Sequence, residues 1–276
     1  MKTDIDKSAR WRKLGWSSPF WELVRFYCSL RGNEQKKFLL DLKTKGGSPS
    51  ATLTLLGLSP ESIETLTDYI QYRTERLASA ISNLRSEEEA LAYCKAGNIS
   101  WVVTKTKSRD HHQSSRCMIA TVSHIAGEVC SSFKIGFEIS PQRRCVWNRS
   151  GHLHVSVRNL DGAVPGLQNP FIIWEIKEYW GKTSGGSKMS DAVYECHLVG
   201  KEIRDCEQRA SIKIFHAVFV DGREQWLSRK SDLARFLDLE SQGLIDHLFV
   251  GRDVETQWEK VLKTVLKEAA AKKPNP

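Results

Sequence analysis

Apolar residues recur at helical spacing through the first third of the chain. Phe20, Leu23, Val24, Tyr27 and Leu30 make one stripe, which predicts a single helix over 17–42 with Pro19 in its first turn. The run Gly46-Gly47-Ser48-Pro49 interrupts it. Ser59 and Pro60 then read as an N-cap and a first helical residue, ahead of a stripe of Ile63, Leu66, Ile70, Leu77 and Ile81. A third helix is predicted over 86–94, where Glu87, Glu88 and Glu89 suit the positive end of the helix dipole. That acidic run is read as a solvated helix start, not as a metal cluster.

The texture then changes. Trp101-Val102-Val103 predicts a short strand, and KTKSRDHHQSSR over 105–116 has no apolar period and reads as a loop. Two adjacent histidines on one loop, His111 and His112, rarely face one ion, so phosphate contact through Lys105, Lys107, Arg109 and Arg116 is the preferred role. Beyond it, a helix is predicted over 117–133 and strands over 135–139, 145–147, 152–157 and 171–176. A helix over 187–206, a strand over 212–220, helices over 230–239 and 254–271, and a short strand at 248–250 complete the pattern. This is an α/β (α+β) mixed sheet with helices against it. The expected division is a helical N-terminal region, 1–100, for DNA recognition or dimer contacts, and a core with C-terminal helices over 101–276.

Composition narrows the partners. Of 276 residues 40% are hydrophobic and 27% charged, which suits a folded chain. The net charge of +8 favours polyanions. Up to Lys45 there are 11 Lys and Arg against 5 Asp and Glu, so much of the surplus is N-terminal. Seven cysteines, an odd number without CxxC spacing, read as reduced thiols of an intracellular protein. The N-terminus has no apolar signal core, and no apolar run approaches the ~20 residues that span a bilayer. A cytoplasmic protein without a membrane partner is expected. GxGxxG and phosphate-loop patterns are absent, so no nucleotide cofactor is expected.

The chemistry concentrates in NLDGAVPGLQNPFIIWEIKEYWGK. Glu175 and Lys177, two apart on a strand, project from one face, while Ile172, Trp174 and Ile176 fill the other. Asp161 is placed at the end of the preceding strand, before a turn over 162–165. If the strands are neighbours, Asp161 lies beside Glu175, and a divalent cation resolves the repulsion of two carboxylates. Hard oxygen ligands suit Mg²⁺, with Mn²⁺ able to substitute and the Ile176 carbonyl as a third ligand. Lys177 would orient water and neutralise charge on a phosphoryl group. Each of the three side chains is expected to be essential for cleavage but dispensable for folding. Acid-x-Lys also occurs at Glu34-Gln-Lys36 and Asp41-Leu-Lys43, in solvated helical context. The competing reading of Glu175 and Lys177 is an edge-strand salt bridge.

At these residues the chain resembles the PD-(D/E)xK nuclease superfamily, best known from type II restriction endonucleases. Asp161 stands at the motif's Asp and Glu175-Ile176-Lys177 matches (D/E)xK, although Leu160 replaces the Pro. The resemblance covers roughly 117–220 and implies a restriction-endonuclease-like α-β-β-β-α-β core. It implies a Mg²⁺-dependent endonuclease cutting double-stranded DNA as a homodimer, of the restriction or defence kind, with Glu128 as a further acidic ligand. A structure-selective or repair nuclease and a non-catalytic nucleic-acid-binding module are the alternatives. Lys182 and Lys188 are further DNA contacts. Asp191 and Glu195 are read as a polar helix face, and Trp226, Arg229, Lys230 and Arg235 either line a cleft or pack.

Overall fold

A computed structural model describes residues 4–44, 60–104, 114–181 and 186–271. The chain divides into two compact units, with the main boundary between Ala78 and Ser79. The segment 79–100 therefore belongs with the sheet and not with the N-terminal helices.

The first unit contains α1 (Asp4–Arg12), α2 (Phe20–Ser29), α3 (Asn33–Thr44) and most of α4 (Pro60–Asn83). The single helix expected over 17–42 is two helices. Between them Gly32 adopts a φ of +47°, which an interior helical residue cannot hold. The apolar stripe runs on across the two helices, and Gly32 divides it. Trp11, Phe20, Trp21 and Tyr69 form the core of this unit, with Tyr69 edge-on to the other three rings at 5.0–5.8 Å.

The second unit is a mixed α/β structure. Its helices are α5 (Glu87–Ala96), α6 (Cys117–Ser132), α7 (Gly186–Ala210), α8 (Arg223–Ser228), α9 (Lys230–Gln242), α10 (Asp253–Thr256) and α11 (Trp258–Ala271). Ser86 caps α5 in a reciprocal box with Glu89, so the acidic run is a helix start as expected. Its strands are β1 (Glu138–Ile139), β2 (Val146–Arg149), β3 (His152–Val155), β4 (Gly162–Val164), β5 (Ile172–Glu178), β6 (Phe215–Asp221) and β7 (His247–Val250). Five of them form one sheet in the order β1-β4-β5-β6-β7. β4 is antiparallel to both β1 and β5, while β5, β6 and β7 are parallel.

Two expectations change here. The strand predicted over 152–157 is not in this sheet, because β3 pairs with β2 as a separate two-stranded ribbon. The turn predicted over 162–165 is largely strand β4, in register with β5 through Gly162 opposite Trp174. Glycine looks like a turn signal there, but its role is steric. A Cβ on Gly162 would lie 1.9 Å from the Trp174 indole, so the ring lies where any other residue would carry its side chain.

Alternation along β5 sends its side chains to two cores. Ile172 and Trp174 join Met118, Val122, Ala126 and Val129 of α6 and Trp258, Leu262 and Leu266 of α11. Ile173 joins Val199 and Ile203 of α7. Each fully buried large side chain stabilises the fold by about 1.5–3 kcal/mol. Glu175 and Lys177 share the parity of Ile173, so they face α7.

Candidate active site

Asp161, Glu175 and Lys177 come together. Asp161 immediately precedes β4, and its amide donates to the Trp174 carbonyl at 3.0 Å. Its Oδ2 accepts the Ile176 amide at 2.7 Å. The side chain thereby replaces the backbone acceptor that β4 is too short to offer β5. Alternation points the Ile176 carbonyl toward the same open edge as its amide. Glu175 is 1% exposed and Lys177 5%, with Lys177 Nζ 3.0 Å from Glu175 Oε2. The strand that carries them is interior to the sheet, between β4 and β6, not an edge strand.

Three further residues complete the cluster. Arg158, from the segment after β3, places Nη1 3.5 Å from Glu175 Oε2. Glu195, on α7, accepts a hydrogen bond from Lys177 Nζ at 2.7 Å and pairs with Arg158. His216, on β6 and fully buried, has Nε2 3.5 Å from Glu175 Oε1, and its Nδ1 is 3.1 Å from the Leu244 carbonyl. Neither His216 Nε2 nor Glu175 Oε1 has a hydrogen bond of ordinary geometry.

The charges are unequally compensated. Burial alone would raise the Glu175 pKa, but Lys177, His216 and Arg158 outweigh it and hold the carboxyl well below its ordinary range. Burial would lower Lys177, yet Glu175 and Glu195 raise it, so it stays an ammonium. Asp161 goes the other way. Burial raises its pKa and the Glu175 charge adds to this, against the Ile176 amide and the more distant cations. Among the described residues Asp161 is thus the carboxylate of the cluster that forms no ion pair of its own.

That imbalance and the orphaned Glu175 Oε1 fit a hard cation. Asp161, Glu175 and the Ile176 carbonyl are all oxygen donors of the kind Mg²⁺ prefers. Among the described residues no three His, Cys, Asp or Glu side chains converge as a metal-binding group, so water would complete the coordination. Glu128 does not join them. It is 70% exposed on α6, paired with His124 at 3.4 Å, and α6 covers the Trp174 face of the sheet.

The expected phosphate contacts separate. Arg116 immediately precedes α6 and its charge acts on Glu178, while Lys188 is exposed in the first turn of α7. Lys105, Lys107, Arg109, Lys182 and His111-His112 lie outside the described residues. Trp226 packs in the interior, with its indole donating to the Asp221 carbonyl at 3.1 Å. Arg229 pairs with Asp232 at 2.7 Å and Arg235 stacks over Tyr194 at 4.7 Å. Glu195 is no partner of Asp191 in a polar face; it turns inward to Lys177. His216 left a signal in sequence, as the one polar residue inside the apolar run FHAVFV. Arg158 left none beyond its nearness to Asp161.

One neighbour predicts a pH effect. Glu178, next along β5, accepts from the Met118 amide at 2.8 Å and the Trp180 indole at 2.7 Å, while its Oε2 has no partner among the described residues. Burial pushes its carboxyl up to about 7 against those two donors. A raised carboxyl favours the fold below its unfolded value, about 4.5. That stability is lost as pH rises through about 7. The loss from Glu178 is on the order of 3 kcal/mol between pH 4.5 and 8. Glu178→Gln keeps the accepting oxygen and removes the titration. Denaturant melts at pH 5 and pH 8 should show a distinctly smaller decline in the variant; equal declines would refute the assignment.

All seven cysteines are free thiols, and six are buried. No described helix is long and apolar enough to cross a membrane. A search of curated proteins and a search of solved structures each returned no match. Residues 78–265, about two thirds of the chain and the part that holds the whole cluster, match a family described as a domain of unknown function, DUF7687, and the chain belongs to that family.

Proposed function

We propose that the protein is a Mg²⁺-dependent endodeoxyribonuclease that hydrolyses phosphodiester bonds in duplex DNA. One observation carries the reading. A half-buried carboxylate just before β4 lies beside a buried carboxylate and a charged lysine on β5, and burial with the Glu175 charge raises the pKa of the first. The element order supports it. Helix α6 is followed by β1, β4 and β5, with β4 antiparallel to both of the others, then by α7 and by β6, parallel to β5, once the β2–β3 ribbon is set aside as an insertion. The net charge of +8 supports a polyanionic substrate.

Asp161, Glu175 and the Ile176 carbonyl would hold the ion, Mg²⁺ or Mn²⁺. A bound ion supplies polarisation of the scissile phosphate and a water of lowered pKa. Lys177 contributes as a cation. Its raised pKa keeps the proton on Nζ, so it donates to the attacking water or a phosphoryl oxygen and does not act as a base. Glu175 holds that ammonium in place. Asp161 is fixed through Oδ2 by the Ile176 amide, which leaves its second oxygen as the one that would meet the ion. Cutting both strands with one site per chain calls for a symmetric homodimer.

The test is incubation of the purified protein with mixed-sequence plasmid and Mg²⁺, with a chelator control. Discrete fragments are the expected result and identify a sequence-specific enzyme of the restriction or defence kind. A smear identifies a non-specific or structure-selective nuclease. A mobility shift without cutting would replace the reading by a binding module, and neither cutting nor shift would remove both.

A further inference from the structure

We propose that Lys177 and Arg158 form a phosphate-binding cleft, and that the Glu195 carboxylate occupies its ligand position in the free protein. Glu195 is then a built-in competitor of the phosphodiester. The identity of the ligand rests on the hydrolase reading; the anion site itself does not.

Both cations converge on one oxygen. Glu195 Oε2 takes a hydrogen bond from Lys177 Nζ at 2.7 Å and meets Arg158 Nη1 as well. A phosphoryl oxygen accepts from Lys and Arg in the same manner as a carboxylate oxygen, and Arg in particular matches both groups. The position Glu195 holds is therefore chemically a phosphate position.

Exposure separates Glu195 from Glu175. Glu195 is 42% exposed and Arg158 34%, whereas Glu175 and Lys177 are almost enclosed. Glu175 cannot leave, because Lys177, Arg158 and His216 surround it. Glu195 stands on the helix α7, and its side chain can turn into solvent without moving the sheet. Arg158 Nη1 is shared between Glu175 and Glu195, so it stays paired with Glu175 when Glu195 turns away.

Charge balance agrees. Glu175, Lys177, Arg158 and Glu195 together sum to zero when ionised. Replacing Glu195 by a phosphodiester exchanges one monoanion for another and leaves that sum unchanged. Exchange costs the Glu195–Arg158 pair, which is partly exposed on both sides and therefore weak, while the phosphodiester takes over the pairing with the buried Lys177. Phosphate binding should thus be detectable in the wild type and tighter without Glu195.

Inorganic phosphate is the first probe, titrated by calorimetry and followed by thermal melting. Glu195→Ala and Glu195→Gln are expected to bind phosphate about three- to tenfold more tightly than wild type. Arg158→Gln should weaken binding by a similar factor, and combined with Glu195→Gln should remove the gain. Glu195→Gln preserves the side-chain volume, so the test survives if the alanine variant fails to fold. Unchanged or weaker phosphate binding by folded Glu195→Gln overturns the proposal. A Mg²⁺ cleavage assay on duplex DNA separates the two ideas. Tighter phosphate binding together with no cleavage by the wild type would uphold the anion site and remove the hydrolase reading. Cleavage that vanishes in Glu195→Gln at unchanged phosphate affinity would place Glu195 in the catalytic machinery and overturn the competitor role.

Discussion

Glu175→Ala should abolish DNA cleavage and also lower the stability of the fold, and the two losses have to be separated. At 1% exposure Glu175 is the main counter-charge of a lysine that is itself 5% exposed. Removing one partner of a buried pair typically costs about 3–5 kcal/mol, because the other charge stays behind. Glu195 still faces Lys177, which should keep the cost near the lower end. Burial thus contradicts the expectation that alanine at this position leaves the fold intact. Glu175→Gln is the better variant. It keeps the volume and a carbonyl oxygen for Lys177, but it loses the charge that would hold a cation. It should melt closer to wild type and still lose cleavage by roughly 10²-fold or more, the scale of deleting one electrostatic contact to a transition state. Denaturant unfolding and plasmid cleavage measured on the same preparations decide the matter. A folded Glu175→Gln protein with full cleavage would sink the assignment.

The candidate site was legible in sequence for a specific reason. A Glu and a Lys two apart in a run as apolar as FIIWEIKEYW must share a face, and their burial demands partners. That argument needs only the period of a strand. It also led to Asp161, although by a wrong route. Asp161 does not end a long strand; it precedes a three-residue strand whose glycine makes room for Trp174. The other half of the cluster depends on distances in the fold that no local pattern encodes. Arg158 lies 17 residues before Glu175, Glu195 lies 20 after it, and His216 enters only because β6 is parallel to β5. Helices were legible where an amphipathic stripe ran unbroken, as in α6, and failed where one glycine divided a stripe, as at Gly32. The ribbon β2–β3 alternates like a sheet strand, but Leu153 and Val155 are exposed, so alternation there did not report a buried face.

Arg85→Ala is expected to give the largest loss of stability of any single substitution considered. In sequence Arg85 sits in SNLRSEEE, just ahead of the helix predicted over 86–94. In the fold it is 1% exposed beside Asp221 at 0%, with Nε 2.7 Å from Oδ2. Its own amide donates to Asp221 Oδ1 at 2.9 Å, and its Nη1 reaches Glu255 Oε1 at 2.6 Å. Asp221 closes β6 and stands opposite Glu178 at the end of β5, so this arginine holds together the carboxyl end of the strand pair that carries the cluster. Burial raises the Asp221 pKa, and Arg85 with the surrounding amides opposes the rise. Removing Arg85 takes from Asp221 the cation paired with it among the described residues, at a cost of about 3–5 kcal/mol. For a chain of this size that corresponds to a fall in Tm of roughly 10 °C. A double variant, Arg85→Met with Asp221→Leu, should recover much of the loss, since apolar replacements of a buried pair are often close to neutral. A melting series on wild type, both single variants and the double variant tests this as a cycle. A coupling below about 1 kcal/mol would mean that the pair acts as an exposed one does. The stabilising role of the Arg85 side chain would then have to come from Glu255.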